Sequence, residues 1–259
     1  DMRQKAISIS HMQTDKSNEA YANRQIGRVY EIQGKINISL EYFNKAHEIY
    51  SDLNYESGVA RSLRDIGLAS KKLHNYDYAI TCLKKSLSIY EKLNDQESLA
   101  STFGYLGLIF KTKGEWANAE ESHNKALAIH KTLNNEEGTA FVLSNLGVVQ
   151  RMKGQFMESI ENHNLALKYF KKTNNKKGVL REYSNLGVSY RNLNQLDKSM
   201  EMHEISLQLS EELGIKDGIM MQYGNLGIVS KMMSKYDQAE AYYKNALDSA
   251  LIINDQASI

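Results

Sequence analysis

The sequence predicts an all-α fold, a solenoid of tandem helix hairpins, because one short motif returns at a constant interval. The tripeptide Asn-Leu-Gly occurs at 145–147, 185–187 and 225–227, and glycine continues upstream at the same forty-residue spacing at Gly107, Gly67 and Gly27. A second observation is that apolar residues recur every three or four positions on both sides of each short break, which is the helical step. Each repeat is therefore expected to bury its apolar face against its neighbours, giving a long continuous core.

Composition is that of an ordinary soluble protein, with 42% hydrophobic and 24% charged residues. The formal net charge of +1 gives no general attraction to nucleic acid or to an anionic membrane, so neither is expected as a partner. Cys82 is the only cysteine, which excludes an internal disulfide and a cysteine-based zinc site and fits a cytoplasmic protein. No apolar run approaches the roughly 18 residues that cross a bilayer, and no signal-peptide pattern opens the chain.

Each repeat is interpreted as two helices joined by a short break. In the second repeat the helical spacing of Val59, Leu63 and Ile66 stops at His74 and resumes from Ile80. Residues that end helices occupy every such break: Gly34, His74 with Asn75, Gly114, Gly154, Asn192 with Asn194, and Ser234. The single array, 1–259, is divided into a partial repeat (1–16), six full repeats (17–56, 57–96, 97–136, 137–176, 177–216 and 217–256) and the start of another (257–259). Because it opens and stops inside repeats, we expect a longer parent array.

Small residues and aromatics fall at fixed places in each repeat. Small side chains form two columns: Ser39, Ala79, Ala119, Ser159, Ser199 and Ala239, then Ala46, Ser86, Ala126, Ala166, Ser206 and Ala246. Together with Leu-Gly and the aromatics Tyr30, Phe110 and Tyr190 three residues later, this pattern resembles the tetratricopeptide repeat. The period is forty rather than thirty-four, the turn proline is absent, and the phenylalanine of the A-x3-F pattern survives only at Phe43.

The forty-residue form is similar to the class found in spindle-orientation adaptors, kinesin light chains and the sensory segments of some bacterial signalling proteins. That resemblance implies a right-handed superhelix in which the first helix of each repeat lines a concave groove. It also implies a protein-binding role, since the related adaptors use groove asparagines and basic residues to hold extended acidic partners.

Two columns on the first helices are the candidate binding residues, separated by six positions and interpreted as lying near one side of the helix. The column before Leu-Gly reads Gln25, Asp65, Tyr105, Asn145, Asn185 and Asn225. The column four residues after each glycine reads Glu31, Lys71, Lys111, Arg151, Arg191 and Lys231. Arg24, Arg28, Arg61 and Arg64 add positive charge near the N-terminus, part of which Glu31 and Asp65 neutralise.

These residue types predict an extended, acidic guest. An asparagine amide can pair with both N–H and C=O of an extended backbone, and Lys and Arg favour carboxylates or phosphates. The predicted peptide-binding residues are Asn145, Asn185, Asn225, Tyr105, Lys71, Lys111, Arg151, Arg191, Lys231, Arg24, Arg28, Arg61 and Arg64. The alternatives are that the cations only solvate an exposed helix face and that the amides bond a neighbouring helix.

His123, His163 and His203 also recur at forty residues and raise the question of a metal site. Neighbouring helices pack about 8–10 Å apart, whereas histidines sharing one zinc need nitrogens about 3.4 Å apart, so a packed core role is favoured. The sequence contains no H-E-x-x-H motif and no phosphate-binding glycine loop. Neither a cofactor nor catalysis is expected.

The sequence thus predicts a non-catalytic scaffold that binds an extended, acidic peptide segment. The alternative is a sensory or regulatory array that controls a linked output domain. A third possibility is end-to-end self-association through apolar end faces.

Overall fold

The computed structural model describes residues 2–257, with side chains from residue 12 to residue 252. Twelve α-helices account for this described part of the chain, so the fold is all-α as predicted. Their bounds are α1 (Met2–Ile32), α2 (Ile36–Asp52), α3 (Glu56–Lys72), α4 (Tyr76–Lys92), α5 (Gln96–Lys113), α6 (Trp116–Thr132), α7 (Glu136–Met152), α8 (Phe156–Lys172), α9 (Lys176–Asn192), α10 (Leu196–Glu212), α11 (Lys216–Met232) and α12 (Tyr236–Ala257). Residues 1, 258 and 259, at the outer ends of the two predicted partial repeats, lie outside the described residues. None of the described helices is both long and apolar enough to span a membrane.

The helices divide into two compact units, Asp1–Ile129 and His130–Ile259. In the first unit α1 packs on α2 and α3 on α4, and in the second α7 packs on α8, α9 on α10 and α11 on α12. Each unit has its own apolar clusters. One in the first unit contains Phe43, Ile66 and Cys82, and one in the second is built from Ile160 and Leu186 with partly buried neighbours.

Left-handed residues end the helices at the predicted breaks. The breaks inside the hairpins hold Gly34, His74, Gly114, Gly154, Asn194 and Ser234, and each has a positive φ between 57° and 80°. The joints between hairpins use Asn54, Asn94, Asn134, Asn174 and Gly214 in the same conformation. The predicted break positions are confirmed. Most of these residues are glycine or asparagine, which tolerate this region better than other types, and His74 and Ser234 adopt it as well.

Helix α1 continues through the position where a joint would separate the partial repeat 1–16 from the first full repeat. Forty residues before Asn54 the chain carries Thr14, a β-branched residue for which the left-handed conformation is unfavourable. The other joints between hairpins have Asn or Gly at this position, and α1, which has Thr14 there, runs for 31 residues.

The recurrent glycine places the two helices of each hairpin in close contact. A Cβ built on Gly107, Gly147 or Gly187 would lie 2.6–2.8 Å from the imidazole ring sixteen residues later. Gly27 and Gly227 make the same contact, at 2.6 Å, to Phe43 and Tyr243, whereas at Gly67 the nearest atoms, of Ala79 and Leu83, lie at 3.1 Å. Helix packing therefore explains the glycine period, as predicted.

Candidate functional site

Three asparagine side chains occupy the same position on the first helices of the second unit. Asn145 lies on α7, Asn185 on α9 and Asn225 on α11, all half-buried, and α9 contacts both α7 and α11. Asn145 donates a hydrogen bond to the Phe141 carbonyl at 3.0 Å. Within the described residues, the side chains of Asn185 and Asn225 make no hydrogen bond, so no neighbouring helix holds these two amides.

Arg151 and Arg191 lie at the C-terminal ends of α7 and α9 and are half-buried. Among the described residues, the Nε of Arg151 and an Nη of Arg191 are buried donors without any acceptor. Burial lowers the pKa of Arg151, and the nearby charge of Arg191 lowers it further. Buried donors normally have acceptors, so one unpartnered nitrogen on each of these two arginines is unusual.

The asparagine and arginine columns do not share one side of the helix. An α-helix turns by about 100° per residue, so six residues separate two side chains by about 120°. Asn185 and Arg191 consequently point to adjacent sides of α9. The interpretation that placed both columns near one side of the helix was wrong, because six residues are closer to one and two-thirds turns than to two.

The remaining predicted residues are distributed over both units. In the first unit Tyr105, Lys71 and Lys111 are half-buried, the two lysines in the last turns of α3 and α5. In the second unit Lys231 is exposed and lines a surface depression with Tyr236 and Tyr243.

In the first unit Asp65 takes the place of the asparagine and is surrounded by arginines. Its carboxylate lies 2.5 Å from the Nε of Arg24, 3.7 Å from an Nη of Arg28 and 3.9 Å from the Nε of Arg64. Arg24 is only 5% exposed. Its assignment as a peptide-binding residue is therefore corrected: it neutralises a buried carboxylate. Arg61 is exposed.

His163 belongs to a buried polar network in the second unit. Its Nδ1 lies 2.7 Å from a carboxylate oxygen of Glu182, and the Ser144 hydroxyl donates to the other oxygen at 2.6 Å. All three side chains are shielded from solvent. Arg181, which is partly exposed, contacts the same carboxylate at 3.2 Å.

The next repeat contains an equivalent network in which the uncharged Gln222 takes the place of Glu182. His203 Nδ1 is 2.9 Å from the side-chain oxygen of Gln222, whose amide donates to Ser184 at 3.0 Å. Burial lowers the pKa of His203, and of the buried His123 in the first unit, to about 4. The histidines thus fill the core positions favoured by the sequence. The described residues contain no group of three or more His, Cys, Asp or Glu placed to hold a metal ion.

Sequence interpretation missed exposed apolar residues on the asparagine-bearing side of the first helices. They are Phe141 and Met152 on α7, and Met221, Ile228 and Met232 on α11. Relative to the asparagine on the same helix, they stand four residues before it (Phe141, Met221), three after it (Ile228) or seven after it (Met152, Met232). At about 100° per residue, each of these positions lies within about 60° of the asparagine around the helix. The spacing was readable from the sequence, but their exposure was not, because apolar residues at helical spacing usually belong to the core.

Comparison with known proteins places the sequence in a family and its fold among solved structures. The family model described as Tetratricopeptide repeat matches residues 18–92 and 98–172, more than half of the chain. No curated protein matches the chain.

Three solved structures illustrate the likeness. BtubC (BKLC) from P. vanneervenii is 19% identical, with a TM-score of 0.72 over 93% of this chain and 92% of that chain. A Signal Transduction ATPase with Numerous Domains (STAND) protein with a tetratricopeptide repeat sensor, from Pyrococcus horikoshii, is 15% identical, with a TM-score of 0.80 over 93% of this chain and 38% of that chain. A Rap protein complexed with Competence and Sporulation Factor is 13% identical, with a TM-score of 0.68 over 92% of this chain and 76% of that chain. At these identities the likeness shows the fold.

Proposed function

Because the chain belongs to the tetratricopeptide repeat family, we propose that it is a non-catalytic protein-interaction module that binds an extended, acidic segment of a partner protein. The observation that carries the proposal is the pair Arg151 and Arg191. Each has a buried N–H without an acceptor in the described part of the chain, and the two are close enough for one charge to affect the pKa of the other. Both side chains are still partly exposed, so a carboxylate of the guest can bind their accessible N–H groups and neutralise the repulsion between them.

The asparagine amides form a second part of the proposed binding surface, on the side of the helices adjacent to the one that carries the arginines. Asn185 and Asn225 are half-buried, without side-chain partners in the described residues, and lie on neighbouring helices. An amide that offers both a donor and an acceptor can pair with a peptide backbone whatever its side chains are. The amides therefore hold the guest in place, while the arginines select its charge.

The buried Ser144, His163 and Glu182 do not favour an enzymatic role. A serine nucleophile needs its hydroxyl hydrogen-bonded to the histidine that takes its proton. Here the hydroxyl donates to the carboxylate instead, and all three groups are closed to solvent. The arrangement fits a structural network.

The test is a selection from a phage-displayed library of random dodecapeptides on the immobilised chain. We expect Asp and Glu to be enriched, and we expect the enriched peptides to lose at least about tenfold in affinity for the double variant Arg151→Gln with Arg191→Gln. The matched control, Lys168→Gln with Lys176→Gln, removes the same charge from exposed lysines of the same unit. Equal losses in both double variants, or no acidic enrichment, would refute the proposal.

A second candidate function is a sensory segment of a larger signalling protein. The observation that favours it is the likeness to the STAND protein with a tetratricopeptide repeat sensor, of which this chain covers 38%. The coding sequence on both sides of this array distinguishes the two candidates. An adjoining nucleotide-binding or other output domain supports the sensory role, and a free-standing array supports an adaptor.

Self-association is the third candidate. Helix α12 exposes Leu247, Leu251 and Ile252, each by more than half of its surface. Such a face can take up a second copy of the chain. Light scattering should then show mass increasing with concentration, and a constant monomer mass would exclude it.

A further inference from the structure

We propose that the guest also carries apolar side chains, which pack on an apolar strip beside the asparagines of the second unit. The strip consists of Phe141 and Met152 on α7 and Met221, Ile228 and Met232 on α11. The inference rests on the proposed function, since the guest that fills the strip is the one that the amides and arginines hold. It adds a chemical requirement that those polar groups do not impose.

The strip follows from the order of residues along each helix. On α11 the face reads Met221, Asn225, Ile228 and Met232, at intervals of four, three and four residues. These intervals keep all four side chains within about 60° of one another around the helix. On α7 the series Phe141, Asn145, Val148 and Met152 has the same spacing. Two helices on either side of α9 therefore present one amide flanked by apolar groups.

Exposure distinguishes these residues from core residues at the same spacing. Met152, Met221 and Met232 are each nearly half exposed, between 47% and 49%. A single exposed hydrophobic residue needs no explanation, but several sharing one face mark an interaction surface. Methionine suits such a surface because its flexible, polarisable side chain adapts to different partners.

Helix α9, which lies between the two, contributes charge to the same face. Arg181 precedes Asn185 by four residues, and its guanidinium carbon lies 5.0 Å from the centre of the Phe141 ring. Arg181 occupies the position on α9 that Phe141 occupies on α7 and Met221 on α11. Arg181 already contacts the buried Glu182 carboxylate at 3.2 Å, so Arg151 and Arg191 supply most of the charge that is complementary to a guest in which carboxylates accompany apolar side chains.

The spacing of the helices sets the scale of the guest. Helices pack about 8–10 Å apart, and an extended chain advances about 3.3 Å per residue. One step between neighbouring first helices therefore corresponds to about three residues of the guest. The geometry thus favours an extended segment of a partner protein with apolar residues about six positions apart over α7 and α11, and at least one acidic residue between them.

The experiment uses the same library of random dodecapeptides, with the strongest peptides then synthesised and measured by fluorescence polarisation. The strip variant is Met221→Ser with Ile228→Ser. The matched control is Met157→Ser with Leu165→Ser, which removes two similarly exposed apolar side chains from α8. All four residues are partly exposed, so both variants should remain folded, as thermal unfolding verifies.

We expect the wild-type chain to enrich peptides with both acidic and apolar residues, and the strip variant to lose at least about tenfold in affinity while the α8 control does not. Peptides enriched in acids alone, with equal affinity for the strip variant, would overturn this inference and leave the proposed function standing. Apolar peptides that bind the Arg151→Gln, Arg191→Gln variant as well as wild type would support the strip and overturn acidic selection. Selection of no peptide would overturn both.

Discussion

Gly147 lies directly against the imidazole of His163: a Cβ built on the glycine would be 2.7 Å from both Cε1 and Nε2 of the ring. The two residues belong to the two helices of one hairpin, and His163 is fully buried. No real Cβ tolerates such a distance, so either the helix or the ring would have to move. The absence of a side chain at Gly147 therefore sets the separation of α7 and α8.

The first prediction is that Gly147→Ala destabilises the protein by about 1–3 kcal/mol, because the methyl group overpacks a dense interior. The matched control is Gly224→Ala on α11, where a Cβ would meet nothing within 4 Å. There the substitution should raise the free energy of unfolding by roughly 1 kcal/mol, because alanine has the higher helix propensity. Urea unfolding of both variants shows whether each substitution lowers or raises the free energy of unfolding. A Gly147→Ala protein as stable as wild type would contradict the close-contact explanation.

Much of the fold was readable from the sequence because the constraints recur. The glycine that permits close approach and the Gly or Asn that ends a helix are each required by local geometry, so they reappear in every repeat. Thr14 shows the limit of period counting: the forty-residue spacing implies a joint there, but a β-branched residue disfavours the left-handed conformation, and α1 continues through this position.

The second prediction concerns acid stability. Burial lowers the pKa of His123 and His203 to about 4 from an ordinary value of 6.5. Between pH 6.5 and pH 4 the unfolded chain therefore binds more protons than the folded chain, and stability falls as pH falls. Each histidine should reduce the free energy of unfolding by up to roughly 3 kcal/mol over this range.

The variant His123→Phe isolates this effect, since Phe43 and Tyr243 show that the position accepts an aromatic ring. Both ring nitrogens of His123 are buried and lack partners among the described residues, so the wild type loses no hydrogen bond on substitution. We expect similar stability at pH 7.5 and a more stable variant at pH 4.5. Denaturant titrations at the two pH values measure the difference, and an unchanged pH dependence would count against the buried-histidine explanation.

The third prediction compares two substitutions of Glu182. Glu182→Ala leaves the buried His163 and Ser144 without their partner, which should cost about 3 kcal/mol or more. Glu182→Gln should cost much less, because Gln222 bonds His203 and Ser184 in the equivalent network. Thermal unfolding of both variants tests the ranking. Equal losses would show that the negative charge, not the hydrogen bonding, stabilises the network.

The candidate site was predictable only in part, and the reason differs between its residues. Counting along the sequence selects Asn185 and Arg191 as candidates, because equivalent positions in stacked repeats lie on neighbouring helices, and their role in binding stays a prediction. Counting could not remove Arg24 from the binding residues, because its partner Asp65 lies one repeat away in the sequence. Only the packing of the helices shows that Arg24 is buried. The exposure of Met221 was hidden for the same reason: helical spacing alone does not distinguish a core face from an exposed face.

The fourth prediction tests the assignment of Arg24 to the interior. Asp65→Ala removes the carboxylate 2.5 Å from Arg24 and leaves a buried, uncompensated cation, which should destabilise by about 3–5 kcal/mol. Arg61→Ala on the same helix removes an exposed charge and should change stability by about 0.5 kcal/mol or less. The double variant Arg24→Met with Asp65→Leu should recover most of the loss, since apolar residues of similar volume can replace a buried ion pair. Urea titrations of the three variants give the comparison. If Asp65→Ala is as mild as Arg61→Ala, then Arg24 reaches solvent and is again available to a partner.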